Sequence, residues 1–177
     1  MNRLFIIAAA CLMIFPIASF GQTRTRRSAP AASQRRSAEA ATAAQAAEIR
    51  MAGATKVADQ VKILTRFLYL LGGVAKGIEQ VDEAAKKNEA SPTALQQNEQ
   101  NKTTVKTSLR NVREGLDALE IYFRSTPGLQ SYYLKLAGSA SGAADAEAQA
   151  AMGQFDRSGR TLLGVVNRLT DVLLIMR

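Results

Sequence analysis

Two acidic clusters are where this sequence comes nearest to a catalytic constellation. Glu79, Asp82 and Glu83 form one, and Glu114, Asp117 and Glu120 the other. Close carboxylates can serve general acid–base chemistry. Both clusters, however, are interleaved with cations at helical spacing. Asp82 precedes Lys86, Glu83 precedes Lys87, Arg113 precedes Asp117, and Glu120 precedes Arg124; Asp156 and Arg160 repeat the pattern further on. Such spacing marks a solvated helix face with weak ion pairs.

Other chemistries lack their residues. The chain has no His, which removes His-ligated metals, His-held haem and a Ser-His-Asp triad. It also removes the Glu-x-x-His motif of di-metal bundles. The single Cys, Cys11, cannot form an intrachain disulfide. No glycine-rich turn follows a strand, and no Gly-Lys-Ser/Thr run occurs, so no phosphate loop is expected. Gly73-Val-Ala-Lys-Gly77 has the small-xxx-small spacing of close membrane helices, but Lys76, Glu79, Asp82 and Glu83 make the segment unsuitable for lipid. Gly72-Gly73 instead marks a packing dip or kink. Asn101-Lys102-Thr103 matches a glycosylation acceptor, relevant only in a eukaryotic secretory pathway. The sequence therefore points to no catalytic, cofactor-binding or metal-binding residues.

The chain has 177 residues, with 23 Lys and Arg against 15 Asp and Glu, a formal charge of +8. That length fits one domain with a targeting segment and a tail. Residues 1–21 read as a secretory signal: Arg3, then an apolar run from Leu4 to Phe20, with small residues at Ser19 and Gly21. Cleavage after Gly21 would leave Gln22 first and remove Cys11. The Arg residues that follow are unfavourable for export, which keeps an uncleaved N-terminal anchor as the alternative. A lipoprotein attached through Cys11 would retain Leu12 to Phe20 as an apolar stub.

Residues 22–37 read as a disordered, Arg-rich tail. Arg24, Arg26, Arg27, Arg35 and Arg36 are unopposed by any acid, and no apolar side chain exceeds Ala. With Arg3 in the signal and five Arg in the tail, seventeen basic residues face fifteen acidic ones in the remainder, close to neutral. The tail could contact an anionic lipid or cell-envelope polymer, or serve as a solvating linker. Without interleaved aromatics it offers no specific nucleic-acid recognition.

Residues 38–177 predict an all-α, elongated antiparallel bundle with coiled-coil-like packing: three long helices plus a short connecting helix. The first ends near Ala90. The second spans about Thr93 to Arg124, a short one Pro127 to Ala137, and the last runs from about Ala143 to the terminus. Ser91-Pro92 offers an N-cap followed by Pro at the first helical position, Thr93 with Gln96 offers a capping box, and Thr126-Pro127 repeats the first signal. Apolar residues recur at alternating three- and four-residue steps. The first stripe is Val57, Val61, Leu64, Leu68, Leu71, Ala75, Ile78 and Ala85, broken at Asp82. The second is Val105, Leu109, Val112, Leu116, Leu119 and Phe123. The last is Met152, Phe155, Gly159, Leu162, Val166, Leu169, Leu173 and Met176.

Folding the first two helices back at Ser91-Pro92 opposes Ile78 with Val105, Leu71 with Val112, Leu68 with Leu116, Leu64 with Leu119, and Val61 with Phe123. All five pairs are apolar, as a helical hairpin requires. The same register sets Val81 against Lys102 and Ala85 against Asn98, making a polar tip. A second seam on the first helix, Ile63, Phe67, Leu70, Val74, Gly77 and Val81, implies a second neighbour, for which the last helix is the obvious candidate. Val172, Leu174, Ile175 and Met176 form a candidate helix–helix or oligomer surface. Tyr122, Tyr132 and Tyr133 are expected to pack the base with their hydroxyls at the rim.

These features together predict an exported, periplasmic or cell-surface protein without catalytic activity. It would act through a protein partner or self-association, or in envelope structure. The alternative is a module that binds an apolar or amphipathic small molecule between helices.

Overall fold

A computed structural model describes residues 31–177. It contains α1 (Ala31–Lys86), α2 (Pro92–Ser125), α3 (Gln130–Leu136), α4 (Ser139–Ala151) and α5 (Phe155–Ile175), with no strand among the described residues. The all-α antiparallel bundle read from the sequence is the fold observed. Residues 1–30, which hold the segment read as a secretory signal and Arg24, Arg26 and Arg27, lie outside the described residues.

The α1–α2 turn forms through two local devices. Asn88 takes a left-handed conformation at φ 58°. Its N–H reaches Ala85 O at 3.0 Å, and Glu89 N–H reaches Ala84 O at 2.9 Å, closing the helix as a Schellman motif. Ser91 then caps α2, its Oγ accepting from Ala94 N–H at 3.2 Å, with Pro92 first in the helix. Of the two starts the sequence offered, the Ser91 cap is the one used.

All six members of the predicted α2 stripe are buried, as are Val57, Leu64, Leu71, Ala75 and Ile78 of α1. Val61 and Leu68 pack half-buried against this core. At the tip a side-chain network takes over from apolar pairing. Asp82, rather than Val81 or Ala85, meets both Asn98 and Lys102.

The predicted last helix is two helices, and the bundle accordingly has four legs. The chain turns at Gly138 and at Gly153, with φ of 87° and 78°, where glycine avoids the steric penalty on a side chain. Gln154 N–H returns to Gln149 O at 2.9 Å, a second Schellman closure. Gly142, which falls between the predicted short helix and the predicted last one, lies inside α4. A Cβ there would stand 2.8 Å from Val165 Cγ2, so glycine permits close α4–α5 packing. The predicted start at Thr126-Pro127 also shifts. Gly128, at φ 87°, continues a turn, and α3 begins at Gln130 with the fully buried Leu129 plugging the base.

Each leg runs antiparallel to its two neighbours. Helix α1 borders α2 and α5, and α4 also borders α2 and α5. Glu147 of α4 bonds Arg113 of α2 at 2.8 Å, while Glu120, later in α2, bonds the N–H of Ala140 near the start of α4. Gln149, late in α4, meets Thr161, early in α5, at 2.9 Å. A Cβ on Gly53 would touch Met176 at 3.0 Å, and one on Gly159 would touch Leu71 at 3.5 Å, which sets α5 antiparallel to α1. The short leg α4 buries Ala140, Ala143, Ala146 and Ala150, small side chains that let its neighbours approach.

The long helix α1 overruns the bundle at both ends. Gly153 lies level with Glu79 and Glu83, so the α1–α2 turn stands beyond the α4–α5 turn. At the base, Thr42 and Ala46 lie beside Pro127, Gly128 and Tyr132, so the exposed residues from Arg35 to Ala41 form an arm of about 10 Å. Residues 31–37, assigned to a disordered tail by composition, are helical here, because Ala, Gln and Arg are all good helix formers.

Truncating the core should be expensive. Leu64→Ala and Leu116→Ala remove fully buried side chains and should each lower stability by about 2–5 kcal/mol. Leu134→Ala, at a site 78% exposed, should change it by less than about 0.5 kcal/mol. Urea unfolding followed by circular dichroism measures both.

Candidate functional site

The first acidic cluster does not converge on a site. Asp82 turns toward α2, and its Oδ1 accepts from Asn98 Nδ2 and from Lys102 Nζ, each at 2.7 Å. Lys102 also meets Glu99 at 2.9 Å. The hydrogen bond to Asp82 holds the Lys102 pKa above its ordinary 10.5, with desolvation opposing it. Glu79 and Glu83 remain exposed on other faces of α1. The network thus ties the tip of the hairpin together. It explains why Asp82 interrupts an apolar stripe: its partners are long polar groups on α2. Asn98 is buried, and its Oδ1 has no protein partner.

The second cluster is also spent on structure. Glu120 is not paired with Arg124; its Oε1 accepts from Ala140 N–H at 2.9 Å. It therefore caps the start of α4 from another helix, where a carboxylate is favoured by the helix dipole. Asp117 lies 3.9 Å from Arg113, which is held mainly by Glu147. The expected Asp156–Arg160 pair forms at 2.7 Å. Among the described residues, no group of three acidic, Cys or His side chains could hold a metal ion.

At the base, Tyr122, Tyr132 and Tyr133 pack partly buried against the core, as their position in the sequence suggests. Lys56 Nζ lies 4.9 Å from the centre of the Tyr122 ring, a cation–π contact between α1 and α2. The candidate surface at the end of α5 divides in two. Val172 and Met176 are buried, with Met176 filling the space over Gly53, and so serve helix–helix packing inside the chain. They are unavailable to another subunit. Leu174 and Ile175 point outward and are about half exposed. Arg35 and Arg36 lie exposed on α1.

The largest departure from the sequence reading is the outward face of α1. Its second seam was expected beneath the last helix. Helix α5 instead packs on the opposite flank, where Gly159 faces Leu71 and Leu68. Ile63 and Leu70 are left exposed, Phe67 and Val74 half-buried, and nearby Tyr69 is 85% exposed. Gly72, Gly73 and Gly77 lie on the same exposed stretch, and open space surrounds the position a Cβ would take at each. A helical Gly costs about 1 kcal/mol relative to Ala, and nothing within the chain requires these three. The apolar seam was legible in the sequence; that Ile63 and Leu70 stay exposed was not.

Open grooves run along both sides of this stretch. Between α1 and α5, a groove of about 670 Å³ is lined by Leu68, Tyr69, Gly72 and Leu163, with Lys76 and Asp156 among its charged neighbours. Between α1 and α2, a smaller one of about 390 Å³ includes Ile63, Phe67 and Gly115. No helix among the described residues is long and apolar enough to cross a membrane. No family model, curated protein or solved structure matches this chain.

The polar tip can be tested directly. Asp82→Ala leaves the Asn98 amide and the Lys102 ammonium without their shared acceptor and should cost about 1–3 kcal/mol. Hydrogen exchange should accelerate around the α1–α2 turn while Leu119 and Phe123 stay protected.

Proposed function

We propose that this is an exported, non-catalytic helical-bundle protein that acts by binding another protein or itself, with an Arg-rich N-terminal segment that contacts an anionic envelope surface. The observation that carries the reading is the uncovered face of α1. Large apolar side chains and three glycines without an internal packing role share one exposed stretch. Such a surface is what a partner helix or domain covers. The acidic clusters support a non-catalytic role, since Asp82 and Glu120 are committed to interhelical contacts. The groove between α1 and α5 is open to solvent, which favours a macromolecular partner over a small ligand that needs enclosure. The signal-like segment supports export, and the clustered Arg residues support capture of anionic lipid or cell-envelope polymer. No cofactor is required for either contact.

A photo-crosslinker at Leu70 should yield a protein adduct in the native cell envelope, and one at Leu134 should not. No adduct at Leu70 overturns the interaction reading. The basic segment has its own test. Replacing Arg24, Arg26, Arg27, Arg35 and Arg36 by Ala should reduce binding to anionic vesicles at least tenfold at low salt. Binding by the unchanged protein should weaken steeply as salt rises. Equal binding by both proteins would make the segment a linker.

A further inference from the structure

We propose that the hairpin tip is a hinged unit: residues 79–104 swing on the four-helix body at Gly72–Gly77 of α1 and Thr103–Ser108 of α2. Both helices are weakened at one level. Gly72, Gly73 and Gly77 have open space where a Cβ would stand, so packing within the chain does not demand them, and each lowers helix propensity. Across the hairpin, Thr103-Thr104-Val105-Lys106-Thr107-Ser108 contains only one good helix former, Lys106. Thr103 Oγ donates to Glu99 O and Thr104 Oγ to Gln100 O, each at 2.9 Å. Such back-bonding to the preceding turn loosens and bends a helix. The two stretches are level, because the contact of Asp82 with Lys102 lies above them and that of Gln60 beside Gly115 lies below.

The weak level is also where support from the other legs ends. Glu147 of α4 meets Arg110 and Arg113 of α2. Because α4 runs antiparallel to α2, its last residue, Ala151, reaches only to the level of Lys106. On the other side, α5 begins at Phe155, which shares a groove with Ala75 and Glu79. Ile78 and Val105 are the last buried apolar pair; from residue 79 to residue 104 only Asn98 is buried. The tip projects as two helices, about 20 Å long on the α2 side, with the turn at Gly153 beside its root.

The tip moves as one piece rather than fraying. Asp82 Oδ1 accepts from both Asn98 and Lys102, which ties α1 to α2 above the weak level. The turn itself is closed by Asn88 and the Ser91 cap. A unit braced at its end and weakened at its root bends at the root. The bend needs no broken turn. With no side chains on that side of α1, water reaches the carbonyls, whose hydrogen bonds can lengthen there. The swing changes the angle between the tip and the groove beside α5, which Gly72 and Lys76 line. It requires no partner, so it stands or falls separately from the interaction reading of the same helix.

Distances between nitroxide labels test the hinge. In the full chain carrying Cys11→Ser, one pair joins tip to body through Gln96→Cys and Asn167→Cys. A second pair, Ala118→Cys and Asn167→Cys, lies within the body. All three label sites are exposed. The tip–body distance distribution should be about twice as wide as the body one. Gly72→Ala, Gly73→Ala and Gly77→Ala together should narrow it to the body width, in a protein more resistant to heat because helix propensity rises. Thr103→Ala with Thr104→Ala should narrow it in part. A tip–body distribution no wider than the body one before these substitutions, or an unchanged width in either variant, overturns the hinge.

Discussion

The α1–α2 hairpin is the constraint from which the other legs take their positions. Asn88 in its left-handed conformation and the Ser91 cap fix where the two helices reverse. From that turn, the paired apolar stripes of α1 and α2 fall into line. The polar contacts of Asp82 with Asn98 and Lys102 hold the tip, where apolar contact is scarce. The hairpin offers a shared groove that α4 and α5 roof. Helix α4 adds little apolar volume because its buried residues are mostly Ala; its contribution is closeness. Its position is anchored by Glu120 at its start and by Glu147 further along, both reaching or reached from α2.

Three sets of glycines differ in physical role. Gly128, Gly138 and Gly153 adopt positive φ and make corners. Gly53 and Gly142 stand where a neighbouring helix leaves little or no room for a Cβ. These positions follow from the fold of one chain. Gly72, Gly73 and Gly77 do not. They weaken the middle of the longest helix, on its exposed side, beside Tyr69 and Leu70. The same element thus buries Val57, Leu64, Leu71, Ala75 and Ile78 on one face and carries an uncompensated weakness on the other. That asymmetry is the physical basis for seeing α1 as both scaffold and contact surface.

Legibility differed sharply between helices. The α2 stripe was readable in full because a single row of Val, Leu and Phe faces the bundle axis and polar residues surround it. In α5 the predicted row was only partly right. Phe155, Leu162, Leu169 and Met176 are buried as expected, but Val165 and Val172 are buried where Val166 and Leu173 were expected to be, and Met152 is exposed outside the helix. Two adjacent apolar residues give periodicity two solutions, and contact with both α1 and α4 selects between them. The break at Gly153 had a signal, a lone glycine after an Ala-rich helix, but glycine inside a helix looks the same until its φ is known.

By itself, the sequence determined the helical class, the hairpin turn, the core of α2, the absence of His chemistry and the separation of a basic N-terminal segment from a nearly neutral body. Each of these follows from local propensity, capping or composition, which neighbouring residues alone supply. Only the tertiary structure decided that the last helix is two legs, that Asp82 and Glu120 serve other helices, and that the second seam of α1 is only partly covered, with Ile63 and Leu70 left exposed. Periodicity reports which side chains avoid water. Which neighbour shields them depends on where the chain turns, and those turns place α5 on the far flank of α1.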